Sequence, residues 1–237
     1  MESNRGSIHL IPVPLSGSDT GYLAKEAIDV AQNINHFMVE NAKSARNFLK
    51  SINHPIPLQQ IEVETISENN KQNWLWVKEK AKLGLNVGIL SEAGLPAVAD
   101  PGSEIIKSAH FDGYKVVTHS GPNSMIMALM ASGMNGQRFT FHGYLPAKKE
   151  ELREKLISII KNMAKSDYTN IFMETPYRNK QVLEMLINNV PQHFLLSLSN
   201  NLHTANEVNI CMSIQKWKLQ DINKYINAPT IFCLSKI

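Results

Sequence analysis

The chain of 237 residues contains only two cysteines, Cys211 and Cys233, and they do not have the spacing of metal ligands. HExxH, CxxC and EF-hand patterns are also absent, so we predict no metal site. No two glycines are separated by a single residue, which excludes the GxGxxG fingerprint, and Walker A and GxSxG patterns are missing. These absences argue against Rossmann-type dinucleotide enzymes, P-loop nucleotidases and serine hydrolases.

Long apolar runs and a strong charge imbalance are missing as well. The longest apolar stretches, such as 11–15 and 125–131, are far shorter than the roughly 18 residues needed to cross a bilayer. The opening MESNRGS has no apolar signal core, and the cysteines are few, so we expect a cytoplasmic protein with reduced thiols. The formal net charge of +3 permits nucleic-acid binding without arguing for it.

The sequence does contain a regular alternation of short strand-like runs with helix-like stretches. This alternation predicts βαβ units and a mostly parallel sheet in an α/β fold. In residues 1–118 we predict strands at 8–13, 36–39, 61–66, 87–90 and 114–118, and helices at 20–33, 42–52, 73–83 and 103–109. In residues 119–237 we predict strands at 139–142, 170–173, 194–198 and 230–234, and helices at 123–132 and 148–165. The two ranges are our predicted N-terminal and C-terminal domains.

Glycine and proline are concentrated in loops that follow the predicted strands. In open α/β sheets, ligands bind outside the carboxyl ends of the strands. Prolines fix φ and glycines allow close approach of the backbone. One such loop is ordinarily only a turn, but five of them at strand ends favour a shared pocket with rigid backbone walls. The five loops span 13–17, 88–102, 119–124, 141–146 and 174–177.

Four segments resemble, in order and spacing, the tetrapyrrole methylase superfamily, the class III methyltransferases that use S-adenosyl-L-methionine (SAM). They read SEAGLPAVADPG, VVTHSGPNSMIMALMASG, RFTFHGYLPAKK and IFMETPYR. The most similar branch methylates the 2′-oxygen of a cytidine ribose in small-subunit ribosomal RNA. Its corresponding segments read SDAGTPxISDPG, PGPxAxxxALxxSG, FxFxGFLPxK and FYESPHR.

The resemblance implies two α/β domains, the first with a parallel sheet and the second with a mixed sheet, and SAM as the cofactor in the cleft between them. It also implies a homodimer that acts on ribosomal RNA or the small ribosomal subunit. Carried over by position, the cofactor-binding residues are Pro14, Leu15, Glu92, Gly94, Leu95, Pro96, Val98, Ser124, Met125, Tyr144, Leu145, Pro146, Asn201, Leu202, Pro229 and Thr230.

The segments that differ from the branch lie in the half expected to meet the methyl acceptor. The first loop reads VPLSGSDTGYL instead of TPIGNLxDIT, and SNNLHTANEV stands in place of ELTKxxEE. Three hypotheses therefore stay open: a ribose 2′-O-methyltransferase of ribosomal RNA, a methyltransferase of the same fold acting on a small heterocycle or a protein side chain, and a SAM-binding module without activity.

Glu40, Lys43 and Arg46 are the first candidates for acceptor-side chemistry. They belong to the segment VENAKSARNFL, where the branch reads AEDTRxTRxLL. A ribose hydroxyl has a high pKa, so a base or a cation near its oxygen would help its reaction. The alternative is that Glu40 caps the next helix or pairs with Lys43 or Arg46.

Glu174 is the fourth catalytic candidate, and its alternative role is to order Arg178, four residues later. Glu92 either touches the ligand or accepts hydrogen bonds from N–H groups of its own loop. Asp100 precedes Pro101 and is predicted to be the N-cap of the helix that begins at Ser103.

A group of cations marks the start of the predicted helix 148–165. Such a group is either a solvated helix face or a site of phosphate contact. Its members are Lys148, Lys149, Arg153 and Lys155.

Overall fold

The computed structural model describes residues 5–163 and 167–236. The chain forms two compact units that divide between Asn123 and Ser124. Each unit has its own sheet and its own core. The division between residues 118 and 119 stays a prediction from the sequence.

The first unit is an all-parallel sheet flanked by helices, with strand order β3-β2-β4-β1-β5. The predicted parallel sheet is therefore confirmed. Because every strand runs the same way, the loops after β1, β2, β4 and β5 leave from one edge of the sheet. The strands are β1 (Ile8–Leu10), β2 (His36–Val39), β3 (Glu62–Thr65), β4 (Val87–Leu90) and β5 (Val116–Thr118). The helices are α1 (Lys25–Gln32), α2 (Ala42–Ser51), α3 (Asn70–Lys82) and α4 (Ser103–Phe111).

The two faces of this sheet bury alternate residues of the same strands. On β2, Phe37 packs into a cluster with Leu49 of α2, whereas Met38 packs into another with Trp74 of α3. All four residues of β4 are buried, as expected for a central strand covered on both faces. Full burial of each large apolar side chain contributes roughly 1.5–3 kcal/mol, which holds the strands in one register.

The second unit is a mixed sheet of order β6-β7-β10-β8-β9, in which β6 and β7 are parallel and the other pairs are antiparallel. The mixed sheet implied by the resemblance is confirmed. The strands are β6 (Phe139–Tyr144), β7 (Thr169–Glu174), β8 (Leu195–Asn200), β9 (Val208–Ser213) and β10 (Thr230–Ser235). The helices are α5 (Ser124–Ser132), α6 (Lys149–Met163), α7 (Pro176–Asn189) and α8 (Ile214–Trp217).

Helices α6 and α7 cover one face of this second sheet. Leu152 and Leu156 of α6 and Val182 and Leu183 of α7 are fully buried in a single cluster. The opposite face carries a smaller cluster that includes Leu129 of α5. In the described ranges, no helix combines the length and apolar character that crossing a membrane requires.

Several predicted boundaries are wrong, for local reasons. The first strand ends at Leu10, because Pro12 and Pro14 have no N–H to donate to a sheet. The first helix begins at Lys25, because residues 16–23 form turns. The helix predicted for 148–165 begins at Lys149, one residue later, and the last two predicted residues, Ala164 and Lys165, lie outside the described residues.

Candidate functional site

The loop after β1 is clamped to the loop after β4 at the carboxyl edge of the first sheet. Val13 and Gly94 form an isolated antiparallel bridge. The N–H of Val13 donates to the carbonyl oxygen of Gly94 at 2.9 Å, and the N–H of Gly94 donates to the carbonyl oxygen of Val13 at 3.2 Å. Two loops that are 81 residues apart along the chain (94 − 13) therefore share one backbone geometry.

Gly94 occupies a position that only glycine fits without strain. Its φ is +72°, and a Cβ placed there would lie 3.1 Å from Cδ2 of Leu15 and 3.2 Å from the carbonyl oxygen of Pro122. Since Leu15 follows β1 and Pro122 follows β5, three loops converge on this residue. A side chain at position 94 would push against all of this packing at once.

Gly121 brings the third loop against the first. A Cβ at position 121 would lie 2.1 Å from Cβ of Pro12, so the backbone of the loop after β5 rests directly on that proline. The predicted convergence of glycine and proline loops is thus observed for the loops after β1, β4 and β5. We name these three interlocked loops, residues 12–15, 91–100 and 119–122, the loop cradle.

The loop after β4 presents unpaired backbone donors. Ala97 and Ala99 have φ values of +63° and +62°, a conformation that costs an alanine roughly 1–2 kcal/mol. Within residues 5–163 and 167–236, the N–H groups of Leu95, Ala97 and Ala99 have no hydrogen-bond acceptor. Leu95 and Ala97 are half-buried and Ala99 is exposed, so these donors are available to water or to a polar ligand.

Glu40 lies at the end of β2 and reaches across to the loop cradle. Its N–H donates to the carbonyl oxygen of Leu90 at 3.0 Å, and its Oε2 accepts the N–H of Glu92 at 2.9 Å. The alternative that Glu40 caps α2 is wrong, because the side chain of Asn41 accepts from the first N–H groups of that helix. Within the described ranges, no ion pair joins Glu40 to Lys43 or Arg46.

The two cationic candidates, Lys43 and Arg46, lie on α2 and are exposed. Arg46 donates from Nη1 to the carbonyl oxygen of Leu58 at 3.0 Å, so it is held against the segment before β3. The structure therefore brings Glu40 to the loop cradle but gives Arg46 a structural contact elsewhere.

Asp100 forms an acidic cluster with Glu40 and Glu92. Burial, followed by the charges of Glu40 and Glu92, raises the pKa of Asp100 to about 6. The predicted N-cap role of Asp100 is wrong, because the N-cap of α4 is Gly102, whose φ is +119° and which has no side chain to donate or accept. The side chain of Glu92 is exposed. Its backbone N–H donates to the carboxylate of Glu40, whereas its own carboxylate is not the acceptor of that bond.

The remaining cofactor candidates of the first unit line the same loops. Pro14 and Pro96 are buried, Leu95 is half-buried and Val98 is 41% exposed. The N–H of Leu15 donates to Oη of Tyr22 at 3.1 Å. Sequence reasoning missed Tyr22, although it lies in the quoted first-loop segment, and it missed the contact between Gly121 and Pro12.

In the second unit, Glu174 and Arg178 form a buried anchor for the segment after β6. Oε1 of Glu174 lies 3.3 Å from Nη2 of Arg178. The guanidinium also donates to the carbonyl oxygens of Leu145 at 2.8 Å and Pro146 at 2.6 Å. Burial raises the pKa of Glu174 and outweighs the opposing charge of Arg178. The predicted ordering role of Glu174 toward Arg178 is confirmed.

Asn179 is a second anchor, which sequence reasoning did not find. Its Nδ2 lies 3.0 Å from the carbonyl oxygen of Ile226, 2.6 Å from that of Ala228 and 3.0 Å from Oγ1 of Thr230. It thereby fixes the segment that leads into β10, where Thr230 is buried and Pro229 is exposed. No sequence pattern indicates this role, since all three acceptors lie more than 40 residues away.

The other predicted residues of the second unit are spread over its elements. Ser124 and Met125 begin α5, and Tyr144 ends β6 with 56% of its surface exposed. Asn201, with a φ of +51°, and buried Leu202 follow β8.

Comparison with known proteins gives one family and a set of relatives. Residues 8–205 match the family model for tetrapyrrole (corrin/porphyrin) methylases. The "Ribosomal RNA small subunit methyltransferase I" of Vibrio cholerae is 30% identical over 76% of this chain and 59% of its own length. Proteins of the same name from Buchnera aphidicola and Bacillus subtilis are 27% and 30% identical, over 93% and 78% of this chain. The chain spans 75% and 60% of the lengths of those two relatives.

Solved structures show the same fold. The methyltransferase CobJ superposes with a TM-score of 0.65 over 98% of this chain and 94% of its own, at 15% identity. The uroporphyrin-III-C-methyltransferase of Thermus thermophilus gives a TM-score of 0.57 over 98% and 93%, at 16% identity.

Proposed function

The chain belongs to the tetrapyrrole (corrin/porphyrin) methylase family, and from this premise we propose that it is a SAM-dependent methyltransferase acting on a ribose 2′-oxygen of small-subunit ribosomal RNA. The proposal that SAM is the cofactor rests on the loop cradle around Gly94. The relatives named ribosomal RNA small subunit methyltransferase I, at up to 33% identity, support the choice of acceptor.

The residues of the loop cradle fit SAM in polarity and charge. Gly94 has no side chain, which lets Leu15 and the carbonyl oxygen of Pro122 pack closely against the loop after β4. The free N–H groups of Leu95, Ala97 and Ala99 are donors for the polar groups of the cofactor. SAM carries a positive sulfonium and a positive amino group, and an acidic cluster stabilises positive charge nearby. When bound, SAM supplies a methyl group that the sulfonium already activates.

The proposed cofactor residues of the first unit are therefore those of the loop cradle. Pro14 and Leu15 form one wall, and Gly94, Leu95, Pro96 and Val98 form the other. The residues assigned in the second unit, from Ser124 to Thr230, stay predictions from the resemblance.

Glu40 is the proposed general base for the acceptor hydroxyl. Its Oε2 is held by the N–H of Glu92, which fixes the orientation of the carboxylate. Oε1 is then free of that bond and is available to take a proton from the ribose oxygen. A positioned base of this kind contributes roughly 10²–10⁴-fold to a rate. Lys43 is proposed to contact the acceptor through phosphate rather than to transfer protons, whereas Arg46 is held at the carbonyl oxygen of Leu58.

The function is tested on ribosomes from a strain that lacks the gene. Its small-subunit RNA is mapped for missing ribose methyl groups, and purified protein with SAM is then added to assembled subunits and, separately, to naked RNA. We expect one ribose methyl to be absent and then restored on a defined substrate. A complete set of ribose methyl groups in the deletion strain would contradict the proposed acceptor.

The same assay separates the other two hypotheses. Labelled methyl transfer to a tetrapyrrole or to a ribosomal protein, without transfer to RNA, would identify the second hypothesis. SAM binding without transfer to any acceptor would identify the third. Ribosomal RNA as substrate also supports the cytoplasm as the site of action. The homodimer implied by the resemblance is testable by sedimentation of the purified chain.

A further inference from the structure

A groove runs between helices α6 and α7 on the surface of the second unit. Its volume is about 630 Å³. Residues of both helices form its walls, and the described lining contains three cations and one acid. The residues that matter here are Lys149, Arg153, Tyr177, Lys180, Gln181 and Glu184.

These residues form one stripe on each helix. Lys149 and Arg153 are four residues apart, so they lie one turn apart on α6 and about 6 Å apart along its axis. Tyr177, Gln181 and Glu184 are spaced by four and three residues on α7, which places them on one face of that helix. Both stripes differ from the buried stripes of the same helices, so the groove is open to solvent along its length.

The cations of the groove are not neutralised within the unit. Among the residues that the structure describes, the side chains of Lys149, Arg153 and Lys180 have neither an ion pair nor a hydrogen bond. Their sequence neighbours differ in this respect, since Lys148 pairs with Glu151 at 3.0 Å and Arg178 is tied to Glu174. The groove thus brings together three positive charges that form no ion pair with the described residues of the chain.

Tyr177 adds an aromatic surface to this charge. Its surface is 94% exposed, although burial of an aromatic ring stabilises a folded protein. The amide side chains of Gln181 and Asn188 line the groove beyond it. An exposed ring beside unpaired cations and amide groups is the combination that binds single-stranded nucleic acid, because every base stacks on a ring and every phosphate attracts a cation.

We propose that the groove between α6 and α7 binds a single-stranded segment of RNA, with its phosphates on Lys149, Arg153 and Lys180 and an unstacked base on Tyr177. The inference rests on the proposed function, in which RNA carries the methyl acceptor. The proposal assigns the two interpretations of the cations at the start of α6 to different residues. Lys149 and Arg153 contact phosphate, whereas Lys148 forms a solvent-exposed ion pair with Glu151. RNA is favoured over an acidic peptide because a peptide gives no reason for the exposed ring.

The charge component is tested by fluorescence anisotropy of the full chain with a labelled single-stranded RNA of mixed sequence, over a series of salt concentrations. The triple variant Lys149→Gln, Arg153→Gln, Lys180→Gln removes three positive charges from the groove. Each lost phosphate contact makes the slope of log affinity against log salt less negative by about 0.7, so we expect a change of about 2. Lys161→Gln, at the far end of α6, is the matched control and leaves the slope unchanged.

The ring is tested by a second set of variants. Tyr177→Ala is expected to weaken RNA binding about 5- to 100-fold, because it removes one stacking platform. Tyr177→Phe keeps the ring and the affinity. Tyr168→Ala, which removes another partly exposed tyrosine, is the control outside the groove. Equal affinity of Tyr177→Ala and Tyr168→Ala would overturn the base-stacking part of the proposal.

Two further measurements separate failure of the groove from failure of the proposed function. SAM binding by calorimetry reports that each variant is folded, and methyl transfer to assembled small subunits reports the function itself. Transfer by the wild type with an unchanged KM for subunits in the triple variant would overturn the groove and leave the function standing. Absence of RNA binding by the wild type, or displacement of RNA by polyglutamate at equal charge concentration, would also overturn it.

Discussion

Glu40 and Glu92 are joined by a hydrogen bond of 2.9 Å, from the backbone N–H of Glu92 to the carboxylate of Glu40. This bond ties the end of β2 to the loop after β4. Asn41, the next residue, caps α2 instead. Adjacent residues thus serve two different elements, and the carboxylate of Glu40 is positioned without a cation.

Variants of Glu40 separate its chemical role from its positioning role. Glu40→Gln keeps an oxygen that accepts the N–H of Glu92, but it loses the base. We expect kcat for RNA methylation to fall roughly 10²–10⁴-fold with little change in SAM affinity. Glu40→Ala loses both functions and is expected to weaken SAM binding as well. Single-turnover kinetics and calorimetry measure the two effects.

Glu64→Gln on β3 is the control for this pair, since Glu64 is an exposed glutamate that does not accept the N–H of Glu92. Wild-type turnover of Glu40→Gln would remove Glu40 from proton transfer. If Glu40→Ala alone were defective, the residue would be a positioning residue for the loop.

Gly94 and Gly113 give a matched pair for the loop cradle. Both have positive φ, +72° and +69°, but a Cβ meets crowded atoms only at Gly94. Gly94→Val and Gly113→Val should therefore both lose stability through strain, roughly 1–2 kcal/mol or more. Only Gly94→Val is expected to abolish SAM binding, measured by calorimetry at a temperature where both variants are folded. Unchanged SAM affinity in Gly94→Val would contradict the assignment of the loop cradle.

Asp100 predicts a pH dependence of stability. Its pKa rises from the ordinary value of 3.8 to about 6, so the folded state binds the proton more tightly than the unfolded state does. The free energy of unfolding should then fall as pH rises from about 4 to about 6. Because Asp100 is partly exposed, solvent screening limits the effect to about 1 kcal/mol. Asp100→Asn should flatten the dependence of the free energy of unfolding on pH in this range, as measured by urea unfolding. Asp29→Asn, at an exposed position of α1, should leave it unchanged.

The same carboxyl couples cofactor binding to protons. A cationic ligand beside Asp100 favours its ionised form, so SAM affinity should increase as pH rises through about 6. Calorimetry in two buffers of different ionisation enthalpy should show proton release on binding at pH 6. Asp100→Asn should bind SAM with no proton release, and release by this variant equal to the wild type would assign the effect to another group.

The sequence predicted the layers of the fold better than the contacts of the site. β2 and β4 were predicted with their observed bounds, because each is an apolar run closed by polar or turn residues. Helix α7 was missed because its start, Pro176, was interpreted as part of a loop, although proline at the first helical turn is a known start signal. Strand β9 was missed because VNICMS has no continuous apolar run.

The site residues show a similar division. Gly94 and Gly121 were predicted from the sequence as positions where the backbone approaches closely. The atoms that a side chain at either position would contact belong to loops far away in sequence. The partner of Glu40 is 52 residues away, so no local pattern indicates it. Asp100 was misassigned because a local cap pattern contains no information about the positive φ of Gly102.

Arg178 and Glu174 are expected to be strongly coupled in stability. Arg178→Met would leave the carboxylate of Glu174 buried without its cation, which costs roughly 3–5 kcal/mol. The double variant with Glu174→Gln should recover a large part of that loss, as measured by urea unfolding in a double-mutant cycle. Lys180→Met on the same helix is the control and should be nearly neutral. Simple additivity of the two changes would show that the pair is not coupled.

The position of β1 between β4 and β5 has a consequence for folding during synthesis. Ile8 pairs with Val87 on one side and with Val116 on the other, so its second neighbour is made 108 residues later (116 − 8). At roughly 5–20 residues per second, the ribosome needs about 5 to 20 s to bridge that interval. β1 thus emerges before the other four strands of its sheet but is among the last to be enclosed. One edge of β1 stays unpaired until β4 is available, and its other edge stays unpaired until β5 has left the exit tunnel.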